Sequence, residues 1–205
     1  MTAEEVERIN ACVAAGGVAL FPADTVYGLA ADPESPAAVE RLYRLKGRPP
    51  ERPAAVMFFS VDDALAALPD LSAATRGAIE RLLPGALTLL LPNPNRRFPL
   101  ACGPAPERLG VRVPRLAGEL EPLTAALGPV LQSSANRSGG PDARRLEDVD
   151  PTIRNGVDAE LDGGELPGRA STVVDLTHFA DGGGYEILRE GAVRAAEVGS
   201  LLDTR

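Results

Sequence analysis

Several short polar segments carry residue types that could hold an anionic ligand. The first is PADTVYGL at 22–29. A strand closing at Pro22 would bring the Thr25 hydroxyl and the flat Tyr27 ring to the carboxyl edge of a sheet, where open α/β folds bind ligands. A capped turn with Asp24 on local backbone N–H groups accounts for the same residues. The second is Lys46-Gly47-Arg48, with Arg52 four residues on, set among Gly47, Pro49, Pro50 and Pro53. A stiff cationic loop suits a polyphosphate, because arginine forks onto phosphate oxygens and lysine adds a point charge. The same charges also suit the negative pole of a helix end. The third is SSANRSGG at 133–140, either an array of small donors at a strand end or a plain turn.

Arg112 stands in the apolar VRVP at 111–114, where a buried guanidinium would need an anionic partner or ligand. Ser171 in STVVD and Arg189 in ILREG mark the ends of two further strands, positions that solvent-facing polar residues also fill. The chain has a single histidine, His178, and its setting is that of an ordinary strand-end residue. No Ser-His-Asp triad, histidine-rich metal site, P-loop or G-x-G-x-x-G fingerprint is present.

The elements that must position these residues alternate. Helices are expected near 2–15, 36–46, 61–68, 72–83, 116–127 and 194–202, the first two capped by Thr2 with Glu5 and by Ser35 with Pro36. Strands are expected at 18–21, 54–59, 87–91, 109–113, 130–133, 172–176 and 185–188, with turns and a short helix between 139 and 168. Alternation of this kind implies an α/β fold, and the short 182–184 glycine connection joins antiparallel neighbours, so the sheet should be mixed. One domain over 1–205 follows from the length and from the lack of repeats or a long linker.

Composition narrows the function classes. The chain has no long apolar run and opens on Thr2, Glu4 and Glu5, which excludes a membrane helix and a secretory signal as readings of it. Cys12 and Cys102 form no metal or disulfide framework and fit a reducing cytoplasm. The net charge of −8 argues against stable direct binding of tRNA, although arginines cluster around 41–52 and 108–115.

Taken in order, PADTVYGL, KGRP, PGALT, VRVP, SANRSG, STVVD and ILREG resemble the motif series of the L-threonylcarbamoyladenylate synthase family, with its YrdC-like domain, over roughly residues 5–200. The resemblance implies a twisted mixed β-sheet with helices packed around a central, positively lined cavity. It implies an enzyme, a nucleotidyltransferase, that joins L-threonine, bicarbonate or CO2, and ATP into threonylcarbamoyl-AMP and releases pyrophosphate. That product feeds the threonylcarbamoyl transferase machinery that makes N6-threonylcarbamoyladenosine in tRNA. Thr25, Tyr27, Arg112 and Ser134 are expected around L-threonine; Lys46, Arg48, Arg52, Asn136, Ser171 and Arg189 are expected around ATP.

No residue acts as a nucleophile in this scheme. Lys46 and Arg48 orient and neutralise charge, and Mg²⁺ arrives with ATP rather than on a protein metal site. Ala23, Ala54 and Ala86 depart from the family pattern, and Met57 fills a slot that is polar in some members; Ala23 and Met57 bear on the amino-acid side. Longer members carry a further C-terminal domain. Two other readings are a nucleotide-binding paralogue with another acid acceptor and an RNA-binding or ribosome-associated module.

Overall fold

A computed structural model describes residues 1–126 and 128–203. The first helix, α1 (Ala3–Ala14), is closed by the expected capping box between Thr2 and Glu5 and stopped by Gly16 at φ +79°. It leads into the hairpin of β1 (Ala19–Pro22) and β2 (Tyr27–Ala31). Helix α2 (Pro36–Lys46) starts on the Ser35 cap and ends where Gly47 takes the left-handed conformation. Then follow β3 (Ala55–Met57), α3 (Val61–Ala67) on its Ser60 cap, α4 (Ala73–Leu82), β4 (Leu87–Pro92), a short α5 (Pro99–Cys102) and β5 (Arg108–Arg112). The chain continues through α6 (Leu123–Ala126), β6 (Val130–Ser134), α7 (Pro151–Arg154), β7 (Ala159–Glu160), β8 (Thr172–Asp175), β9 (Glu186–Arg189) and α8 (Ala195–Asp203).

The strands form one mixed sheet in the order β7-β1-β2-β6-β3-β5-β4-β8-β9. Parallel pairs β1/β7, β3/β5 and β4/β8 are interspersed among antiparallel ones, and β8/β9 is the antiparallel pair expected across the glycine turn. Three expectations change. A single helix over 116–127 is replaced by a 3-10 turn at Gly118–Leu120 followed by α6, because Pro122 cannot continue a helix; Leu127 itself lies outside the described residues, as do 204 and 205 of the expected single domain. β2 and the two-residue β7 are additional strands.

Period-two alternation then sorts the sheet into two unlike faces. Leu87, Leu89 and Leu91 of β4, with Leu109 and Val111 of β5, turn toward the larger core, which they share with apolar residues of α2, α3, α4 and α8. The opposite face is closed at one end by a smaller cluster in which Val6, Ile9 and Val13 of α1 pack on Ala19, Phe21 and Met57. Over the middle strands the same face presents Ala55, Gly110, Thr88 and Gln132. Small and polar side chains there cannot fill the space against a helix, so the face stays concave.

Candidate functional site

That concavity is a cavity of about 270 Å³. Arg48, Arg112 and Arg189 line it together with Thr25, Ser134 and Ser171, and among the described residues no carboxylate lines it. These six sequence-predicted residues come from six separate stretches of chain and converge because β6, β3, β5, β4, β8 and β9 lie side by side. A larger concavity of about 600 Å³ between α2, α5 and the intervening loop shares only Arg48 with the predicted set.

Arg112 is the centre of the polar network. It closes β5, whose alternation aims its side chain at the concave face, and it is 4% exposed. Nη2 donates to Asp24 Oδ1 at 2.8 Å and to Thr25 Oγ1 at 3.2 Å, while Nη1 donates to Gln132 Oε1 at 3.1 Å. Burial pushes the Asp24 carboxyl above the usual range, with Arg112 opposing; the same burial lowers Arg112, with Asp24 opposing. Against burial, the close approach of the pair favours the charged forms, helped at Asp24 by hydrogen bonds from the backbone and from Thr25. Asp24 also accepts the Arg115 N–H at 3.3 Å, so the carboxylate sits between two strand ends rather than in the local turn considered from sequence.

On the other side of the cavity Ser171 Oγ lies 2.8 Å from Thr88 Oγ1, and Arg189 Nη2 donates to the Ser171 carbonyl at 2.8 Å. Arg48 is half-buried; its Nη2 donates to the Pro53 carbonyl at 2.5 Å, and its guanidinium lies 5.8 Å from the centre of the Tyr43 ring.

Four predicted residues do not line the cavity. Alternation places Tyr27 on the opposite face, where its ring is fully buried; its hydroxyl accepts from Gly163 N–H and lies 2.9 Å from both Asp162 Oδ1 and Gly164 O. Burial pushes that phenol up to about 12. Lys46 is not an exposed helix-end charge: it is 1% exposed and its ammonium donates to the Ser134 carbonyl, to the Asn136 carbonyl at 2.8 Å and to Asn136 Oδ1 at 3.2 Å. Those bonds consume all three of its protons. Burial, then Arg48, lowers it to about 8.

Asn136 in turn takes the Ser134 hydroxyl proton at 2.6 Å and donates to the Gly140 carbonyl, so Lys46 and Asn136 build the 134–140 turn from behind. Arg52 is exposed, and its carbonyl caps Tyr43 Oη at 2.8 Å. Ala23 and Met57, suspected of touching the amino acid, are fully buried in the smaller apolar cluster.

Sequence reasoning missed Thr88 and Gln132. Thr88 is a single polar residue in an apolar strand, the same signal that singled out Arg112, whereas Gln132 merges into the Ser133-Ser134 end of β6. Among the described residues, two buried side-chain polar atoms lack a partner, Arg112 Nε and Gln132 Nε2, and both residues line this cavity.

The sequence profile of the Sua5/YciO/YrdC domain, described as telomere recombination, matches residues 11–191. The chain belongs to this family. Within it, a threonylcarbamoyl-AMP synthase of Stenotrophomonas maltophilia is 38% identical over 165 residues, covering 75% of this chain and 83% of that protein. A crystal structure of Pyrococcus abyssi Sua5 complexed with L-threonine matches with a TM-score of 0.86 at 26% identity, covering 99% of this chain and 58% of that one. E. coli YciO shares the fold, with a TM-score of 0.79 at 23% identity over 96% of this chain and 94% of its own. The chain therefore spans a little under three fifths of the P. abyssi protein and most of the shorter relatives.

Proposed function

We propose that this chain synthesises threonylcarbamoyl-AMP from L-threonine, bicarbonate or CO2, and ATP, releasing pyrophosphate, as the cytoplasmic first step of threonylcarbamoyl modification of tRNA. The observation that carries the reading is the cavity wall: three arginines, no carboxylate among the described residues, and buried unpaired donors behind it on Arg112 and Gln132, in a member of this family. Buried unpaired donors are expensive, and an anionic ligand relieves them.

In this reading Arg112 and Thr25 hold the amino acid, with Ser134 between it and the nucleotide. Arg48, Ser171 and Arg189 face ATP, while Lys46 and Asn136 fix the 134–140 turn that carries Ser134. The threonine amine attacks the carbon of CO2 and loses a proton, and a carbamate oxygen then attacks the α-phosphorus as the bond to pyrophosphate breaks. The wall supplies orientation, charge neutralisation and exclusion of water from the labile carbamate. Mg²⁺ enters as part of the MgATP substrate; among the described residues the wall offers it no carboxylate.

The experiment is an ATP-to-pyrophosphate assay with threonine and bicarbonate omitted one at a time. Pyrophosphate release that requires both is expected. Release indifferent to threonine, or supported better by another amino acid, would replace this reading with that of a paralogue using a different acid.

A further inference from the structure

The loop between α2 and β3, residues 47–54, carries Arg48 and separates two concavities. On one side is the arginine-lined cavity; on the other is the larger space of about 600 Å³ between α2 and α5, and Arg48 lines both. A loop with open space on either side rests on few contacts. This one is also short of donors of its own, because Pro49, Pro50 and Pro53 have no N–H. Side chains supply the donors instead.

Tyr43, near the end of α2, meets the loop at three points. Its carbonyl accepts the Arg48 N–H at 2.9 Å, its hydroxyl donates to the Arg52 carbonyl at 2.8 Å, and its ring lies 5.8 Å from the Arg48 guanidinium. Arg48 Nη2 donates onward to the Pro53 carbonyl at 2.5 Å, so one tyrosine braces both ends of the loop and the charge it carries. Burial pushes the phenol up, with Arg48 opposing, and the hydroxyl keeps its proton to donate. From the far side Gly103, at φ +59°, lets α5 close on the same loop: a methyl group there would stand 2.8 Å from the Glu51 carbonyl oxygen.

Packing alone accounts for a ring at position 43, which is 6% exposed. It does not account for the hydroxyl, since phenylalanine would fill the same core without burying an O–H. We infer that Tyr43 is a positioning residue for ATP: it sets the reach of Arg48 into the cavity by holding the loop at Arg52 and by giving the guanidinium an aromatic face to rest on. This rests on the synthase reading for the nucleotide, but not for a polyphosphate as the group that Arg48 meets.

The test separates aim from packing. Tyr43→Phe keeps the ring and removes the bond to Arg52; Tyr43→Leu removes both supports of Arg48. The measurements on the full chain are kcat, the KM for ATP, the KM for L-threonine and thermal melting. Each variant is also made in an Arg48→Ala background, where calorimetric titration with ATP replaces the KM. We expect Y43F to raise the KM for ATP about fivefold, the scale of one hydrogen bond, with kcat and the KM for threonine within about twofold of the parent. Y43L should raise it about tenfold or more, since the aromatic face goes too. In R48A neither change should weaken ATP further, because the guanidinium that they aim is gone.

A tyrosine that only fills the core would lower the melting temperature and leave the KM for ATP where it was, or raise both KM values alike. Either result in Y43F overturns the assignment, and so does a Y43F effect that persists in full in R48A. A parent that releases no pyrophosphate with threonine and bicarbonate present sinks the synthase reading separately, and titration with inorganic triphosphate then decides the role of Tyr43. Weaker binding to Y43F than to the parent, with the difference abolished in R48A, sustains it; equal binding, or none, overturns it.

Discussion

Replacing Arg112 with leucine tests the buried network most directly, because the loss can be divided into stability and binding. The Arg112 and Asp24 side chains are 5% and 6% exposed and meet at 2.8 Å. Removing the guanidinium leaves the Asp24 carboxylate desolvated with only neutral partners, the Arg115 N–H at 3.3 Å, the Thr25 side chain and its own backbone. Breaking one side of a buried pair typically loses about 3–5 kcal/mol. For a chain of this length each kcal/mol moves the midpoint by about 2–4 °C, so a fall on the order of 6–20 °C is expected.

The sign with pH follows from the burial that already raises Asp24. Without Arg112 its folded value rises further above the unfolded value of about 3.9, and the native state holds the extra proton between the two. Stability of Arg112→Leu should therefore fall as pH rises through that window, and the deficit should be smaller at pH ~5 than at pH ~8. Adding Asp24→Asn removes the stranded charge: the double variant should recover more than half of the lost stability and lose the extra pH dependence. It should not recover threonine binding. Denaturant titrations at the two pH values, with threonine calorimetry alongside, read all of this. A double variant as unstable as the single one at both pH values would show that the charge is not what the pair contains.

Lys46 gives a second pH signature. Its folded value is lowered from 10.5 to about 8, so between those values the unfolded state binds more protons and native stability gains with rising pH, by on the order of 3 kcal/mol over the whole window. Lys46→Met should lack this slope, and a stability difference from the parent that stays constant from pH ~7.5 to ~10 would contradict the burial argument. Tyr27→Phe strands the Gly163 N–H and removes one bond from Asp162. A loss of about 1–2 kcal/mol with unaltered KM for both substrates is expected, whereas a raised KM for threonine would put the ring back at the cavity.

Much of this was legible in the chain. The caps at Thr2, Ser35 and Ser60 and the stop at Gly47 were readable because each is a local hydrogen-bonding device. The convergence of Thr25, Arg48, Arg112, Ser134, Ser171 and Arg189 was anticipated from motif order. Directions of side chains were not. Tyr27 reads as a wall of the pocket because it follows Thr25 at the strand end, but it opens β2 after a four-residue hairpin turn, and its true face depends on the pairing of β2 with Ser134 and its neighbours more than a hundred residues away. Lys46 reads as a helix-end cation, and only the docking of the 134–140 turn upon it creates the buried site. Gln132 carries no motif at all; its meaning comes from Arg112 on another strand, two places across the sheet.

The strand order also sets when the site can exist. β4 pairs in parallel with β8, Leu87 opposite Thr172 and Leu90 opposite Asp175, so one flank of the central sheet waits for chain made some 85 residues later. Parallel pairings of such long separation close slowly, since the loop entropy must be met before any bond repays it. Until β8 arrives, β4 offers a leucine-rich edge to any other strand in reach, and Ser171 and Arg189 are not yet beside Arg48 and Arg112. A ribosome that has released only the first 170 residues thus holds Arg48 and Arg112 without Ser171 and Arg189, beside an unpaired leucine-rich edge.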